Sequence, residues 1–140
     1  MNDCPFCELA HGRIDAELIV LRTSRTFVVP ALKQRRLNRG HMLVVPATHV
    51  TRLIDAEAGL LEDLYTVAGR VSMALREVFG ASGAILFQGD ESPEQIPHLH
   101  IHVIPRRAGD DFKLPDAAAG PVSYEERRQQ AVEMRRALEG

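Results

Sequence analysis

The 140-residue sequence lacks tryptophan and has only two cysteines, two tyrosines and five phenylalanines. It also lacks a dominant charge, because 17 basic residues stand against 19 acidic residues, for a formal net charge of −2. This balance gives no electrostatic argument for binding nucleic acid or a membrane surface. No apolar run approaches the roughly 18 residues that a transmembrane helix needs. The first residues show no basic segment followed by an apolar stretch, so we expect no secretory signal and a cytoplasmic location.

Length and composition predict one domain over 1–140, because single domains cluster near this length. Hydrophobic residues form 45% and charged residues 26% of the chain, which is ordinary globular usage and argues against disorder of the whole chain. We expect the part from about 106 to 140 to be a C-terminal extension that begins with an irregular stretch at 106–120.

Hydrophobic patterning predicts an α+β domain with a mostly antiparallel five-stranded sheet, one long helix and a C-terminal helix. Runs of β-branched and aliphatic residues predict strands at 17–21, 26–29, 41–46, 84–87 and 98–104. An apolar stripe predicts the long helix over 55–79, with Asp55 as its N-cap and Gly80 in the left-handed conformation after its last turn. A Ser-x-x-Glu capping pattern predicts that the last helix begins at Ser123.

The most informative segment is 98–104, which reads His-Leu-His-Ile-His-Val-Ile. Because alternate side chains of a strand face opposite ways, His98, His100 and His102 are predicted to share one face and their aliphatic neighbours the other. The aliphatic face can pack under the long helix, so the histidines face a polar pocket or a ligand. Neighbours on one face lie about 6.5–7 Å apart, which suits several imidazoles around one phosphate-sized group. A solvated strand, a metal site and nucleophilic catalysis by imidazole all agree with this pattern.

A second pattern is the pair Cys4 and Cys7, three positions apart. In a cytoplasmic protein this spacing indicates thiols or metal ligands rather than a structural disulfide. It is the spacing of a zinc knuckle, and zinc takes four ligands, so the chain would have to supply two more. The Cys-Pro-Phe-Cys sequence is also typical of a glutaredoxin-like redox site, but that motif follows a strand. Only three residues precede it here, so zinc is favoured over free thiols and over redox catalysis.

The segment 98–104 resembles the signature of the histidine triad proteins, in which three histidines alternate with aliphatic residues. The resemblance extends to the early Cys-x-x-Cys, to Gly-His-Met-Leu-Val-Val-Pro at 40–46, to the long helix and to the Pro-Arg that follows the triad. It implies a small-molecule nucleotide substrate, a nucleoside phosphoramidate or a dinucleoside polyphosphate, cleaved at the α-phosphate through a covalent nucleotidyl-histidine. It also implies a homodimer in which two sheets join edge to edge.

Carried over residue by residue, the resemblance makes His100 the nucleophile. It places His102 against the phosphate oxygens or the leaving group. It implies that Gln95 and Gln88, in the turn region before the triad, contact the phosphate chain, although Gln95 stands one residue closer to His98 than in the family. The residues that it implies as ligands of a structural Zn²⁺, held away from the substrate, are Cys4, Cys7, His49 and His98.

The sequence departs from the family where an aspartate or asparagine usually follows the second strand and binds the ribose, because 27–33 contains no acidic residue. The loop that follows carries four cations, Lys33, Arg35, Arg36 and Arg39. They either contact a polyphosphate or another acidic group, or they form a solvated basic loop. His41 is expected to be buried or to support another side chain rather than to react.

Two other functions fit the same residues. A non-catalytic nucleotide-binding module would keep the pocket without turnover, and the unmatched ribose loop is the feature that favours it. A zinc hydrolase would use the triad itself as metal ligands, with Asp90, Glu91 or Glu94 as its carboxylate base.

Overall fold

The fold is described over residues 4–93, 95–113 and 120–139 of a computed structural model. The helices are α1 (Pro5–Ala10), α2 (Ala58–Phe79) and α3 (Tyr124–Glu139). The strands are β1 (Leu21–Arg22), β2 (Thr26–Pro30), β3 (Met42–Pro46), β4 (Gly83–Phe87) and β5 (Ile101–Arg106). Single 3-10 turns occupy Ala16–Leu18, Arg36–Asn38 and Leu53–Asp55.

The five strands form one antiparallel sheet in the order β1-β2-β3-β5-β4. Strand β5 lies inside the sheet, where His102 is paired with Leu43 of β3 on one side and with Phe87 of β4 on the other. This architecture confirms the predicted α+β fold with a five-stranded antiparallel sheet, a long helix and a C-terminal helix.

The sheet is covered on both faces by apolar side chains. On one face, helix α2 buries Leu64, Val67 and Leu75 against Val44 and the alternate residues of β5. On the other face, Phe6 of α1 packs with side chains of β2 and β3, namely Phe27, Val29, Leu43 and Val45. Each such aliphatic or aromatic side chain contributes roughly 1.5–3 kcal/mol when fully buried. Burial on both faces explains why β2 and β3 are continuous hydrophobic runs.

The ends of several elements differ from the sequence prediction. The strand predicted at 17–21 is wrong, because the chain forms the turn Ala16–Leu18 and only Leu21 enters the sheet. Asp55 is not the N-cap of α2, because its carboxylate binds Arg52 at 2.7 Å and the helix begins at Ala58 after an extended Glu57. Gly80 does adopt the predicted left-handed conformation, with φ 65°.

Strand β5 begins at Ile101 and continues to Arg106, whereas the sequence predicted 98–104. The N–H of Leu99 donates to the carbonyl of Val50 at 2.7 Å, so the chain is bound to the loop after β3 before it joins the sheet ladder. Helix α1 was not predicted, although Pro5 at its first position is a common helix start.

The C-terminal helix begins as predicted, because the Ser123 hydroxyl accepts the N–H of Glu126 at 3.1 Å. None of its residues is buried. Part of the irregular stretch predicted at 106–120, residues 114–119, lies outside the described residues. Within the ranges described, no helix combines the length and the apolar character needed to cross a membrane.

Candidate active site and metal centre

The three histidines lie side by side on the sheet face opposite α2. His98 and His100 are buried, with 1% and 6% of their surfaces exposed, and His102 is partly buried. The ring centroids of His100 and His102 lie 4.9 Å apart. The alternate residues Leu99, Ile101 and Val103 are buried on the other side. The three histidines therefore share one side of the chain and the aliphatic residues the other, as the alternation in the sequence predicts.

One hydrogen bond fixes the proton on His100. Its Nδ1 lies 2.8 Å from the backbone carbonyl oxygen of His98. Because a carbonyl oxygen only accepts, Nδ1 carries the hydrogen, and Nε2 of the neutral ring carries the lone pair. Burial lowers the pKa of His100, which keeps the ring neutral near pH 7. The lone pair on Nε2 of His100 can therefore act chemically as a base or as a nucleophile.

Both nitrogens of His102 are engaged. Its Nε2 lies 3.3 Å from Oε1 of Gln95, and its Nδ1 lies 2.9 Å from Nε2 of His41. The Gln95 oxygen can only accept, so Nε2 of His102 carries the proton and donates to it. Nδ1 of His102 therefore accepts a hydrogen bond, and the donor is the Nε2–H group of His41. Burial, then repulsion from His100 and His41, lowers the pKa of His102 to about 4. The proton on His102 thus points toward the loop before the triad.

Two aromatic rings hold the imidazoles in place. Phe87 stacks on His102 with the centroids 4.3 Å apart and the planes 11° from parallel. Phe6 packs against His98 and His100 with centroid distances of 5.5 and 4.9 Å. Sequence reasoning did not identify either ring as part of the site. Phe6 stands between the two cysteines, and Phe87 faces His102 only through the β4–β5 register, which a single sequence does not reveal.

A second cluster lies where α1 meets the start of the triad. One ligand atom from each of Cys4, Cys7, His49 and His98 lies within 4.8 Å of the others. Nδ1 of His98 is 3.3 Å from the Cys4 sulfur and 3.6 Å from the Cys7 sulfur, and Nδ1 of His49 is 3.2 Å from the Cys7 sulfur. Metal–ligand bonds of 2.0–2.3 Å in a tetrahedron place the ligand atoms about 3.3–3.8 Å apart. The three separations lie in or close to this range, so the four residues could hold one tetrahedral ion.

The hydrogen bonding of His98 suits a metal ligand. Its Nε2 lies 2.8 Å from the carbonyl oxygen of Pro46, so Nε2 donates and Nδ1 presents its lone pair to the cluster. Burial lowers the pKa of His98 to about 4, which keeps the ring neutral. Burial and the neighbouring Cys4 raise the pKa of the Cys7 thiol, and a bound cation would oppose that effect.

The remaining candidate residues fall elsewhere. Oε1 of Gln88 accepts the Tyr65 hydroxyl of α2 at 3.2 Å, so Gln88 lies on the helix side of the sheet. Its predicted contact with the phosphate chain stays a prediction without a supporting contact. Asp90 accepts the backbone N–H of Leu53 at 2.7 Å. Of the other carboxylates considered, Glu91 is exposed and Glu94 lies outside the described residues.

A sheet with three alternating histidines on one face, beside a four-residue Cys/His cluster, defines the class of histidine triad proteins. Residues 18–109 match the family model described as the HIT domain, which covers more than half of the chain. The chain therefore belongs to the HIT domain family.

Relatives support this membership. The chain is 34% identical over 105 residues to the nitrilase and fragile histidine triad fusion protein NitFhit of Caenorhabditis elegans, covering 74% of this chain and 23% of that one. It is 37% identical over 73 residues to the asymmetrical bis(5′-nucleosyl)-tetraphosphatase of Schizosaccharomyces pombe, covering 51% of this chain and 40% of the relative. It thus spans less than half the length of these two relatives. Against a bis(5′-adenosyl)-triphosphatase of Dictyostelium discoideum the identity is 32% over 105 residues, with 69% and 70% covered.

Solved structures share the fold. A Streptococcus mutans protein superposes with a TM-score of 0.83 at 23% identity, over 99% of this chain and 87% of that chain. A Zn-bound histidine triad family protein from Mycobacterium smegmatis superposes with a TM-score of 0.72 at 29% identity, over 81% and 84% of the two chains.

Proposed function

We propose that this protein is a nucleotide hydrolase or transferase that cleaves a nucleoside phosphoramidate or a dinucleoside polyphosphate at the α-phosphate. The observation that carries the proposal is the hydrogen bond from Nδ1 of His100 to the His98 carbonyl oxygen. It leaves one nucleophilic nitrogen directed away from the backbone in a site with two further imidazoles. The names of the tetraphosphatase and triphosphatase relatives agree with this class of substrate.

In the first step, the lone pair on Nε2 of His100 forms a bond to the α-phosphorus. The bond from phosphorus to the bridging oxygen or nitrogen breaks, and its electron pair leaves with the leaving group. An amine leaving group also takes a proton from solvent, while the neutral His102 donates a hydrogen bond from Nε2–H to the phosphate oxygens or the leaving group. The His98 carbonyl continues to accept from Nδ1–H and stabilises the positive charge of the nucleotidyl-imidazolium.

In the second step, water attacks the α-phosphorus and the phosphorus–nitrogen bond breaks. The electron pair returns to Nε2 of His100, and the attacking water releases its proton to solvent. The products are a nucleoside monophosphate and the protonated leaving group. Gln95 would fix the direction of the His102 proton through the contact at 3.3 Å.

For the Cys/His cluster we propose a structural Zn²⁺ held by Cys4, Cys7, His49 and His98. The mixed thiolate and imidazole donors, their spacing and the neutral His98 favour zinc over harder cations. The Mycobacterium smegmatis relative, described as Zn-bound, agrees with this choice. A zinc hydrolase that uses the triad is disfavoured, because the one candidate metal cluster found in the described part of the chain includes neither His100 nor His102.

The homodimer and the cytoplasmic location stay predictions. Strand β4 lies at an edge of the sheet, and Leu86 and Phe87 on it are exposed. These exposed apolar side chains on an edge strand suit an edge-to-edge dimer.

The test is a single-turnover reaction of the wild type with adenosine and guanosine phosphoramidates and dinucleotides. The reaction is quenched, and the digested protein is analysed by mass spectrometry. We expect a nucleotidylated peptide containing His100. In His100→Ala we expect no adduct and a loss of turnover of about 10⁴-fold or more, with monophosphate binding largely intact. His11→Ala, which removes an exposed imidazole outside the triad, is the control.

Equal single-turnover rates in wild type and His100→Ala would overturn the mechanism. Binding without turnover in the wild type would support the binding-module alternative. Immediate loss of activity on chelation, together with the absence of any nucleotidylated His100 peptide in the metal-loaded protein, would support a zinc-bound water as the nucleophile.

A further inference from the structure

A cavity of about 630 Å³ opens beside the triad and is not used by the mechanism above. Its wall is formed by Lys33, Gln34, Arg35, His41, Phe87, Ile104, Phe112 and Lys113. Two of these residues also belong to the active site, since His41 bonds to His102 and Phe87 stacks on its ring. The cavity therefore begins directly behind the third histidine, on the side away from the Cys/His cluster.

The charges of the cavity wall have one sign. Lys33, Arg35 and Lys113 line it, and none of the other described residues that line it is a carboxylate. Asp111 approaches Lys113 at 3.6 Å, but both side chains are about three-quarters exposed, so this pair neutralises little. The rest of the lining includes aromatic and aliphatic surface. A cavity with a cationic rim and an aromatic wall suits a phosphate chain that carries a base.

The basic loop is held against the triad strand by buried polar groups, which argues against a merely solvated loop. Asn38 is buried, and its side-chain amide donates to the carbonyl of Pro105 at 2.9 Å and to the carboxylate of Asp110 at 2.8 Å. The same carboxylate accepts from Arg106 of β5 at 2.7 Å. The guanidinium and hydrogen bonds around it lower the pKa of Asp110, so it stays charged.

The aromatic wall is fixed in the same way. The guanidinium groups of Arg35 and Arg106 lie 5.0 and 4.6 Å from the centre of the Phe112 ring. Arg35 also donates to the backbone carbonyl of Asp111 at 2.9 Å. The basic loop and the segment that follows β5 are thus held together. This contact fixes the position of Lys33, Arg35 and Lys113 relative to His102.

We propose that this cavity binds the leaving half of the substrate, a nucleoside di- or triphosphate, and so selects dinucleoside polyphosphates over phosphoramidates. The inference rests on the proposed function and decides between its two substrate classes. The phosphate chain beyond the α-phosphorus would meet Lys33 and Lys113, and the second base would lie against the exposed parts of Phe87 and Phe112. The small amine of a phosphoramidate would reach none of these groups.

The test compares kcat/KM for diadenosine tetraphosphate and adenosine 5′-phosphoramidate in the full-length, metal-loaded protein. In Lys33→Ala/Lys113→Ala we expect about a fivefold to tenfold loss with the tetraphosphate and less than about a twofold change with the phosphoramidate. Arg36→Ala is the matched control, because it removes a cation from the same loop that does not line the cavity. We expect it to leave the ratio of the two kcat/KM values unchanged.

Loss of both activities to the same degree, or of neither, would overturn the proposal, as would an equal effect of Arg36→Ala. Equilibrium binding separates this failure from failure of the proposed function. In the His100→Ala background, which is expected not to cleave the ligand, we expect diadenosine tetraphosphate to bind more tightly than adenosine monophosphate. Adding Lys33→Ala/Lys113→Ala to that background should remove the advantage. If His100→Ala binds both ligands equally, the cavity does not take the leaving half, whether or not the wild type turns over.

Discussion

The backbone carbonyl oxygen of His98 lies 2.8 Å from Nδ1 of His100, so one residue serves two sites. The imidazole of His98 belongs to the Cys/His cluster, while its carbonyl fixes the proton on the nucleophile proposed in the neighbouring site. A metal ion that holds the His98 ring would also hold this carbonyl. The Cys/His cluster and the proposed active site are therefore connected through a single residue. We expect loss of a cluster ligand to lower the activity of His100 as well.

The first prediction concerns the metal. His49→Ala removes one of four ligands, so we expect zinc content to fall well below one ion per chain. A structural zinc site contributes folding energy directly, so we also expect the melting temperature to fall by about 10 °C. Metal analysis and calorimetry on protein purified without chelator measure both. His11→Ala is the control, because His11 bonds to the Cys7 carbonyl but lies outside the cluster. Full zinc occupancy in His49→Ala would contradict the assignment.

The second prediction concerns His41 as a positioning residue. Its Nε2 lies 2.9 Å from Nδ1 of His102 and orients that ring. Loss of the bond that orients a metal-ligating histidine typically costs about 10–100-fold, and we expect a similar cost where the oriented histidine contacts substrate. We expect His41→Leu to lower kcat by about 10–100-fold with a small change in KM. His41→Gln keeps an N–H donor at the end of the side chain and should recover part of the loss. An unchanged kcat in His41→Leu, or no recovery with Gln, would contradict this role.

The third prediction concerns stability and pH. His102 has a pKa of about 4 in the folded protein and 6.5 as its ordinary value. Between these values the unfolded chain binds a proton that the folded chain does not, so stability is full above about pH 6.5 and falls as the pH drops toward 4. The loss reaches at most about 3 kcal/mol, since each pKa unit corresponds to 1.36 kcal/mol.

Urea unfolding at pH 7.5 and pH 5 measures this effect. We expect the wild type to lose more stability than His102→Gln over that interval, because the variant lacks the titrating ring but keeps every proposed zinc ligand. Equal losses in the two proteins would show that His102 does not carry the effect.

Local patterns in the sequence anticipated much of the site. The alternation at 98–104 placed three imidazoles on one side and the aliphatic residues under α2, because a strand has a fixed period of two. The carbonyl of His98 that fixes the proton on His100 was not predicted, because a hydrogen bond to the backbone leaves no signal in the sequence. The fold class and α2 also followed from apolar periodicity and α3 from its capping pattern, although Asp55 and the segment 17–21 were assigned wrongly.

Other features required contacts between distant parts of the chain. His41 reaches His102, and Phe87 covers it, only because β3 and β4 pair with β5 in one register. Gln95 bonds to His102, whereas Gln88 bonds to Tyr65 on the helix side of the sheet. This difference depends on the path of the loop between them, which has no periodic pattern in the sequence.

The sequence by itself determined the chemistry available to this protein: three imidazoles in alternation, two thiols at metal-ligand spacing and a basic loop. Those properties are local, because side-chain type and strand period are set residue by residue. Only the tertiary structure decided which groups meet. The pairing of β3 with β5 joins residues 57 to 61 positions apart, and the buried Asn38–Asp110 contact joins residues 72 positions apart. Such contacts depend on packing that no local pattern encodes.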